Sequence, residues 1–300
     1  MLPQFKGLLS PVYTPMHKDG SLNLEAIPPF TDYLVRHHFA GIFVNGSTGE
    51  FSSLTVPERK AAAAAYIRAA AGRLPVIVNA GSCSAAESRE LAADAVACGA
   101  DGICVIAPYY FRPATVRDYA DFVKSIAPAC GNASLWLYHA PGMTNCTLSL
   151  VDFLKIMLEE VPNFAGVKFT NENLCEFARC IALSPRLQML FGRDEMLLGA
   201  LATGARGAIG TTYNYLPRLY QGVISNFEQG RLDEARKLMD IAHRAVAISA
   251  RYGLASIKAF MKFAGFDMGP MRLPANQLTS GQEAAFRAEL AAAGIDEWIG

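Results

Sequence analysis

Short apolar or β-branched runs alternate with longer helix-patterned segments through most of the chain, and this alternation restricts the fold more than any other feature. The runs fall at residues 7–14, 41–46, 75–80, 102–107, 135–140, 164–170, 188–193 and 207–213. Between them, helix start and stop signals are explicit. "TVPE" at 55–58 reads as a capping box with Pro57 in the first turn, leading into the alanine-rich "RKAAAAAYIRAAAG". The threonine hydroxyl can take one orphan N–H, the glutamate returns to another, and proline there forfeits no hydrogen bond. Glycine closes the helical pattern just before the next apolar run in "GR" at 72–73, "CGADG" at 98–102 and "TGARG" at 203–207, as expected of helices that end in a left-handed residue. Eight strand–helix units predict a closed (β/α)8 TIM barrel in preference to an open doubly wound sheet. Residues 217–229, 231–251, 255–264 and 280–293 are helix-patterned as well, giving the eighth barrel helix and a C-terminal helical extension. The expected organisation is a catalytic barrel over 1–230 with a helical appendage over 231–300 packed on it. No linker-like run or charge block separates the two, so they are expected to form one structural unit.

Several function classes are disfavoured at this stage. Lys+Arg and Asp+Glu number 27 each, which argues against a nucleic-acid or anionic-membrane surface. No apolar stretch reaches membrane-spanning length, and the opening "MLPQFKGLLSPVYTP" lacks the order of a signal peptide, so a cytoplasmic protein is expected. The cysteines at 83, 98, 104, 130, 146, 175 and 180 are odd in number and form no CxxC pair; unpaired thiols fit that compartment. The histidines are scattered and HExxH is absent, so no metal site is expected. Neither GxGxxG nor GxxxxGK[ST] follows the first run, which lowers the dinucleotide and nucleotide alternatives.

In a barrel of this kind chemistry belongs at the C-terminal ends of the strands, and four stretches there are unusual. "FAGVKFT" at 164–170 sets Lys168 in an apolar strand. Period-two alternation puts Gly166, Lys168 and Thr170 on one face and Val167 and Phe169 on the other. With the bulky pair facing the helices, Lys168 would point into the barrel beside a glycine that makes room. A desolvated ammonium is costly, so the amine should favour its neutral, nucleophilic form and could capture a ketone as a Schiff base; a snorkelling strand-end lysine is the alternative. "LWLYHAP" at 135–141 places Trp136, Tyr138 and Ala140 on one face, so Tyr138 is either a proton relay or a core tyrosine. "GSTGE" at 46–50 offers N–H and hydroxyl donors in a tight turn suited to a small carboxylate. "FGRDE" at 191–195 ends the seventh run with Asp194 and Glu195, which could hold sugar hydroxyls or cap the next helix.

Together with "APYY" at 107–110 and "GAIGTTYN" at 207–214, in this order and spacing, these stretches resemble the pyruvate-dependent class I aldolases, the family of dihydrodipicolinate synthases and N-acetylneuraminate lyases. The resemblance runs from "GLLSPVYTPM" through "KAFMKFAGFDMGPMRLP" at 258–274. It implies that Lys168 is the Schiff-base lysine and Tyr138 the catalytic tyrosine, with Ser47 and Thr48 on the pyruvyl carboxylate. It implies further that Tyr110 reaches into a neighbouring subunit's site, within a homotetramer. The synthase branch has an arginine where this chain has Met143, so the guanidinium for a dicarboxylate partner is missing. Similarity to the lyase branch implies that Gly192, Asp194 and Glu195 bind the polyol tail of a sugar acid and that Thr170 and Thr211 contact its middle. Thr211 replaces a common serine, Asn145 a common glycine, and Arg193 fills a variable slot. The implied reaction is reversible cleavage of N-acetylneuraminate to pyruvate and N-acetylmannosamine through an imine at Lys168, without metal or organic cofactor. A related aldolase or dehydratase for another 2-keto-3-deoxy sugar acid is the alternative, and a non-catalytic sugar-acid binder a third.

Overall fold

The computed structural model describes residues 4–300. Eight strands, β1 (Gly7–Pro11), β2 (Gly41–Val44), β3 (Val76–Asn79), β4 (Gly102–Ile106), β5 (Ser134–His139), β6 (Phe164–Phe169), β7 (Gln188–Phe191) and β8 (Gly207–Ile209), pair in sequence order and close into a barrel. Every pair is parallel, including the closing β1–β8 ladder with Leu9 opposite Ile209. Outside run α1 (Ile27–Arg36), α2 (Val56–Ala70), α3 (Ala85–Ala97), α4 (Val116–Lys124), the one-turn α5 (Pro141–Thr144), α6 (Leu150–Glu160), α7 (Leu174–Ile181), α8 (Leu197–Thr203) and α9 (Pro217–Glu228). The TIM barrel expected from the sequence is therefore present. Helix starts follow local chemistry: Thr55 and Glu58 form the capping box of α2, and Thr115 with Asp118 repeats it at α4.

Two apolar clusters divide the molecule. Val167 and Phe169 belong to the large one between strands and helices. Phe5, Leu9, Phe43, Ile77, Cys104, Trp136, Tyr138, Leu190 and Ile209 fill the barrel interior. Glycine at 166 does leave space, but Trp136 occupies it: a Cβ there would lie 2.3 Å from the indole Cζ3 and 2.3 Å from the Gln188 carbonyl oxygen. The expectation that this glycine makes room for the lysine is corrected accordingly.

Several strands end earlier than the apolar runs suggest, at Pro11 instead of 14 and at Ile209 instead of 213. Apolarity persists because the following loops are themselves buried: Val12, Tyr13 and Tyr213 have no exposed surface. Part of the cover comes from the C-terminal segment, α10 (Leu232–Arg251), α11 (Ser256–Phe263) and α12 (Ser280–Ala292), while Tyr13 also meets Phe30 of α1 and Tyr213 meets Tyr220 of α9. Phe260 stacks on Tyr215 at 4.0 Å and meets Phe286 edge-on, and Tyr13 donates its hydroxyl to the Ile257 carbonyl. No helix among the described residues is long and apolar enough to cross a membrane.

Candidate active site

Lys168 sits on β6 opposite Tyr138 of β5 and Leu190 of β7, and it is 5% exposed. Its Nζ lies 4.1 Å from the centre of the Tyr138 ring and 4.3 Å from that of Phe43. The lysine therefore enters the barrel instead of snorkelling outward, and two aromatic faces hold it. Phe43 was not legible as a site residue, because an apolar side chain in a strand gives no chemical signal.

After β2 the chain turns sharply over the barrel mouth at Gly46–Glu50, with N–H groups of Gly49 and Phe51 returning to the Gly46 carbonyl. A Cβ on Gly46 would press to 2.9 Å from the Phe43 ring and stand 3.7 Å from Lys168 Nζ, so glycine is what lets this backbone approach the amine. Ser47 Oγ is 3.2 Å from Tyr138 Oη, and Thr48 Oγ1 is 2.7 Å from Thr211 Oγ1. The backbone N–H groups of Ser47 and Thr48 donate to no acceptor among the described residues. A turn with two free amides and two hydroxyls is suited to an anionic oxygen pair. Met143, exposed on α5, accepts the Ser47 hydroxyl at its sulfur, 3.6 Å away. Its neighbour Asn145 ends α5 in the left-handed region at φ 52°, a conformation asparagine tolerates better than most residues.

The 170–195 side of the mouth is more divided. Thr170 carries a buried hydroxyl without a hydrogen-bond partner, while Gly192 follows β7 with its N–H on the Phe169 carbonyl. Asp194 does not cap its own helix; its Oδ2 accepts the backbone N–H and the hydroxyl of Thr212. Burial pushes its carboxyl up to about 6, against the lowering effect of those two bonds. Glu195 is at the rim, where Arg193 Nη2 bridges it and Glu172 at 2.8 and 2.7 Å. Arg193 thus bridges two carboxylates, one of them the candidate tail-binding Glu195, and offsets half of their charge.

Tyr110 stands apart. It is 75% exposed in the loop after β4, with its ring edge-on to the exposed Phe111, and has no hydrogen bond to the other candidates. Sequence reasoning passed over Glu50, although it closes the quoted turn. Its carboxylate is buried against Lys258, a lysine on the apolar face of α11 that could have been flagged by that position alone. Among the described residues no group of three or more His, Cys, Asp or Glu side chains is arranged to hold a metal ion.

A closed parallel barrel with an enclosed strand-end lysine, flanked by a phenol and a hydroxyl-bearing turn, is the architecture of class I aldolases. The chain belongs to the dihydrodipicolinate synthetase family, whose model matches residues 4–293. Among curated relatives it is similar to N-acetylneuraminate lyase A of Xenopus laevis, 39% identical over 276 residues and 90% of each chain. It is likewise similar to N-acetylneuraminate lyase of Gallus gallus, 40% identical over 278 residues and 90% of each chain. Among solved structures, N-acetylneuraminate lyase of Proteus mirabilis superposes with a TM-score of 0.95 at 32% identity, covering 98% of this chain and 100% of that one.

Proposed function

We propose that this protein is a cytoplasmic N-acetylneuraminate lyase that cleaves the sugar acid reversibly to pyruvate and N-acetylmannosamine. The observation that carries the reading is the Lys168 amine inside the barrel, against the Tyr138 ring and beside a turn with free donors. The lyases named above support the choice of substrate.

The Lys168 amine adds to the C2 ketone of the open-chain sugar acid and water leaves, giving an iminium that draws electrons better than the ketone. A base removes the C4 hydroxyl proton; the C3–C4 bonding pair moves into the iminium, releasing the aldehyde of N-acetylmannosamine and leaving an enamine. Protonation at C3 and hydrolysis then return pyruvate and the free lysine. Tyr138, hydrogen-bonded with Ser47, shuttles the proton, and the Ser47–Thr48 turn holds the substrate carboxylate. Thr170, Gly192, Asp194, Glu195 and Thr211 line the path of the polyol. Nothing in this sequence of steps calls on a metal or organic cofactor.

The exposed Tyr110 extends into a neighbouring copy's site in a homotetramer, which would explain why three consecutive aromatics, Tyr109, Tyr110 and Phe111, lie uncovered. Sedimentation of the purified chain checks the assembly. The function is tested by borohydride reduction with pyruvate, read as added mass at Lys168, beside steady-state rates on N-acetylneuraminate and 2-keto-3-deoxygluconate. An unlabelled lysine overturns the imine route, and a preference for the shorter acid overturns the substrate.

A further inference from the structure

The turn that faces the lysine is held from behind by the C-terminal segment. Glu50 ends the turn in the left-handed region at φ 55°, a conformation that costs a residue with a Cβ on the order of 1 kcal/mol and persists only where surroundings impose it. Here they do. One Glu50 oxygen lies 2.8 Å from Lys258 Nζ, both side chains being 4% exposed, and the other accepts the Arg272 backbone N–H at 2.6 Å. Lys258 also donates to the carbonyls of Pro270 at 2.8 Å and Thr14 at 3.2 Å. Thr14 in turn donates its hydroxyl to the Gly49 carbonyl at 2.7 Å. Through this ion pair and these hydrogen bonds α11, the 270–272 stretch and Thr14 grip the turn at its last two residues.

A buried ion pair of this kind adds little net stability compared with apolar side chains of similar size. Its consequence is geometric: it fixes which way the Ser47 and Thr48 donors point. We infer that Lys258 is a positioning residue for the reaction, acting through Glu50 to aim the carboxylate-binding turn at the substrate. Resting on the imine reading above, this makes the C-terminal helices part of the catalytic apparatus, although none of their side chains reaches the reacting atoms.

The test measures borohydride trapping at Lys168 across a pyruvate series, with kcat and KM for N-acetylneuraminate and the melting temperature of each variant. In Lys258→Met, assayed well below its melting temperature, half-saturation by pyruvate rises roughly 10- to 100-fold, the cost of misplacing a binding group by a fraction of an ångström to 1 Å. KM rises with it and kcat changes less. Lys258→Arg, which keeps a cation, recovers most of the loss. Thr14→Val, which removes only the hydroxyl bond to Gly49, shifts half-saturation in the same direction by a smaller factor. Should Lys258→Met not fold, Glu50→Gln and Thr14→Val decide the matter. Folded variants that melt earlier but keep the parent's half-saturation and KM overturn the inference and leave the pair a structural one. A parent that gains no mass at Lys168 overturns the imine reading instead, which is a separate outcome.

Discussion

Ser47 and Tyr138, 91 residues apart in the chain, bring their hydroxyl oxygens to 3.2 Å, while the Tyr138 ring lies against the Lys168 amine. One phenol thus touches both the group that would form the imine and the turn that would hold the substrate carboxylate. Removing its oxygen leaves the ring that supports the lysine. Tyr138→Phe should therefore retain imine formation with pyruvate and lose turnover by roughly 10²- to 10⁴-fold, the usual worth of general acid–base help. Lys168→Ala should lose both. Stopped borohydride trapping and steady-state cleavage, run on the same preparations, separate the two effects.

Thr48 and Thr211 share a hydrogen bond of 2.7 Å, and only one of the two hydroxyls can donate to the other. The second proton is left for a ligand. Thr211→Val should orphan Thr48 and strip a contact from the middle of the sugar acid, raising KM for N-acetylneuraminate by roughly 5- to 30-fold. Half-saturation by pyruvate alone should move less, since the three-carbon acid does not extend that far. Equal shifts for both ligands would place Thr211 on the carboxylate instead.

Much of this geometry was legible because strand periodicity is rigid. Once residues 164–170 are a strand with Val167 and Phe169 against the helices, Lys168 has nowhere to go but inward. Cap chemistry located α2 for the same reason, being local: Thr55 and Glu58 need only each other. Strand ends were less legible, since Val12, Tyr13 and Tyr213 are as apolar as strand residues and are fully buried in the loops beyond the strands. The hollow at Gly166 was visible, but its occupant, Trp136 from the neighbouring strand, depends on the β5–β6 register. The position of Lys258 on an apolar helix face was readable, but partners brought in by packing left no local mark: Thr212 for Asp194, Glu50 for Lys258 and Glu172 for Arg193. Tyr110 was assigned by resemblance alone, and a single chain leaves it on the surface.

Two buried groups give the fold opposing pH dependences. Burial holds the His139 imidazole down at about 4, so its contribution is complete above the ordinary histidine range and is lost as pH falls toward 4. Asp194 is the reverse case: its carboxyl is raised to about 6, the folded state keeps the proton longer than the unfolded chain, and stability is lost as pH rises from about 4 to 6. Each slope integrates to on the order of 3 kcal/mol, and between pH 4 and 6 they largely offset one another. Asp194→Asn should expose the histidine slope, so that the variant gains on the parent as pH rises through this window. His139→Phe should do the opposite and gain on the parent as pH falls. Urea unfolding at several pH values in this range reads both differences.

Gly166 is the position where the barrel interior has least freedom. A methyl group there would meet the Gln188 carbonyl and the Trp136 ring, each at 2.3 Å, distances at which something must move. The carbonyl belongs to the β7 backbone and cannot rotate away without breaking the β6–β7 ladder. The indole is also fixed, since its Nε1 donates to Ser134 Oγ at 2.9 Å and its ring packs on Phe5. Overpacking of a filled core usually costs about 1–3 kcal/mol, and with both neighbours held Gly166→Ala should fall at or above the upper end. Gly281→Ala, on the exposed first turn of α12 with nothing within 4 Å of the new Cβ, should instead be neutral or stabilising by up to about 1 kcal/mol. Denaturant unfolding of the two variants beside the parent checks the contrast. If Gly166→Ala proved as stable as Gly281→Ala, both the β7 backbone at Gln188 and the Trp136 ring would have room to shift inside the barrel.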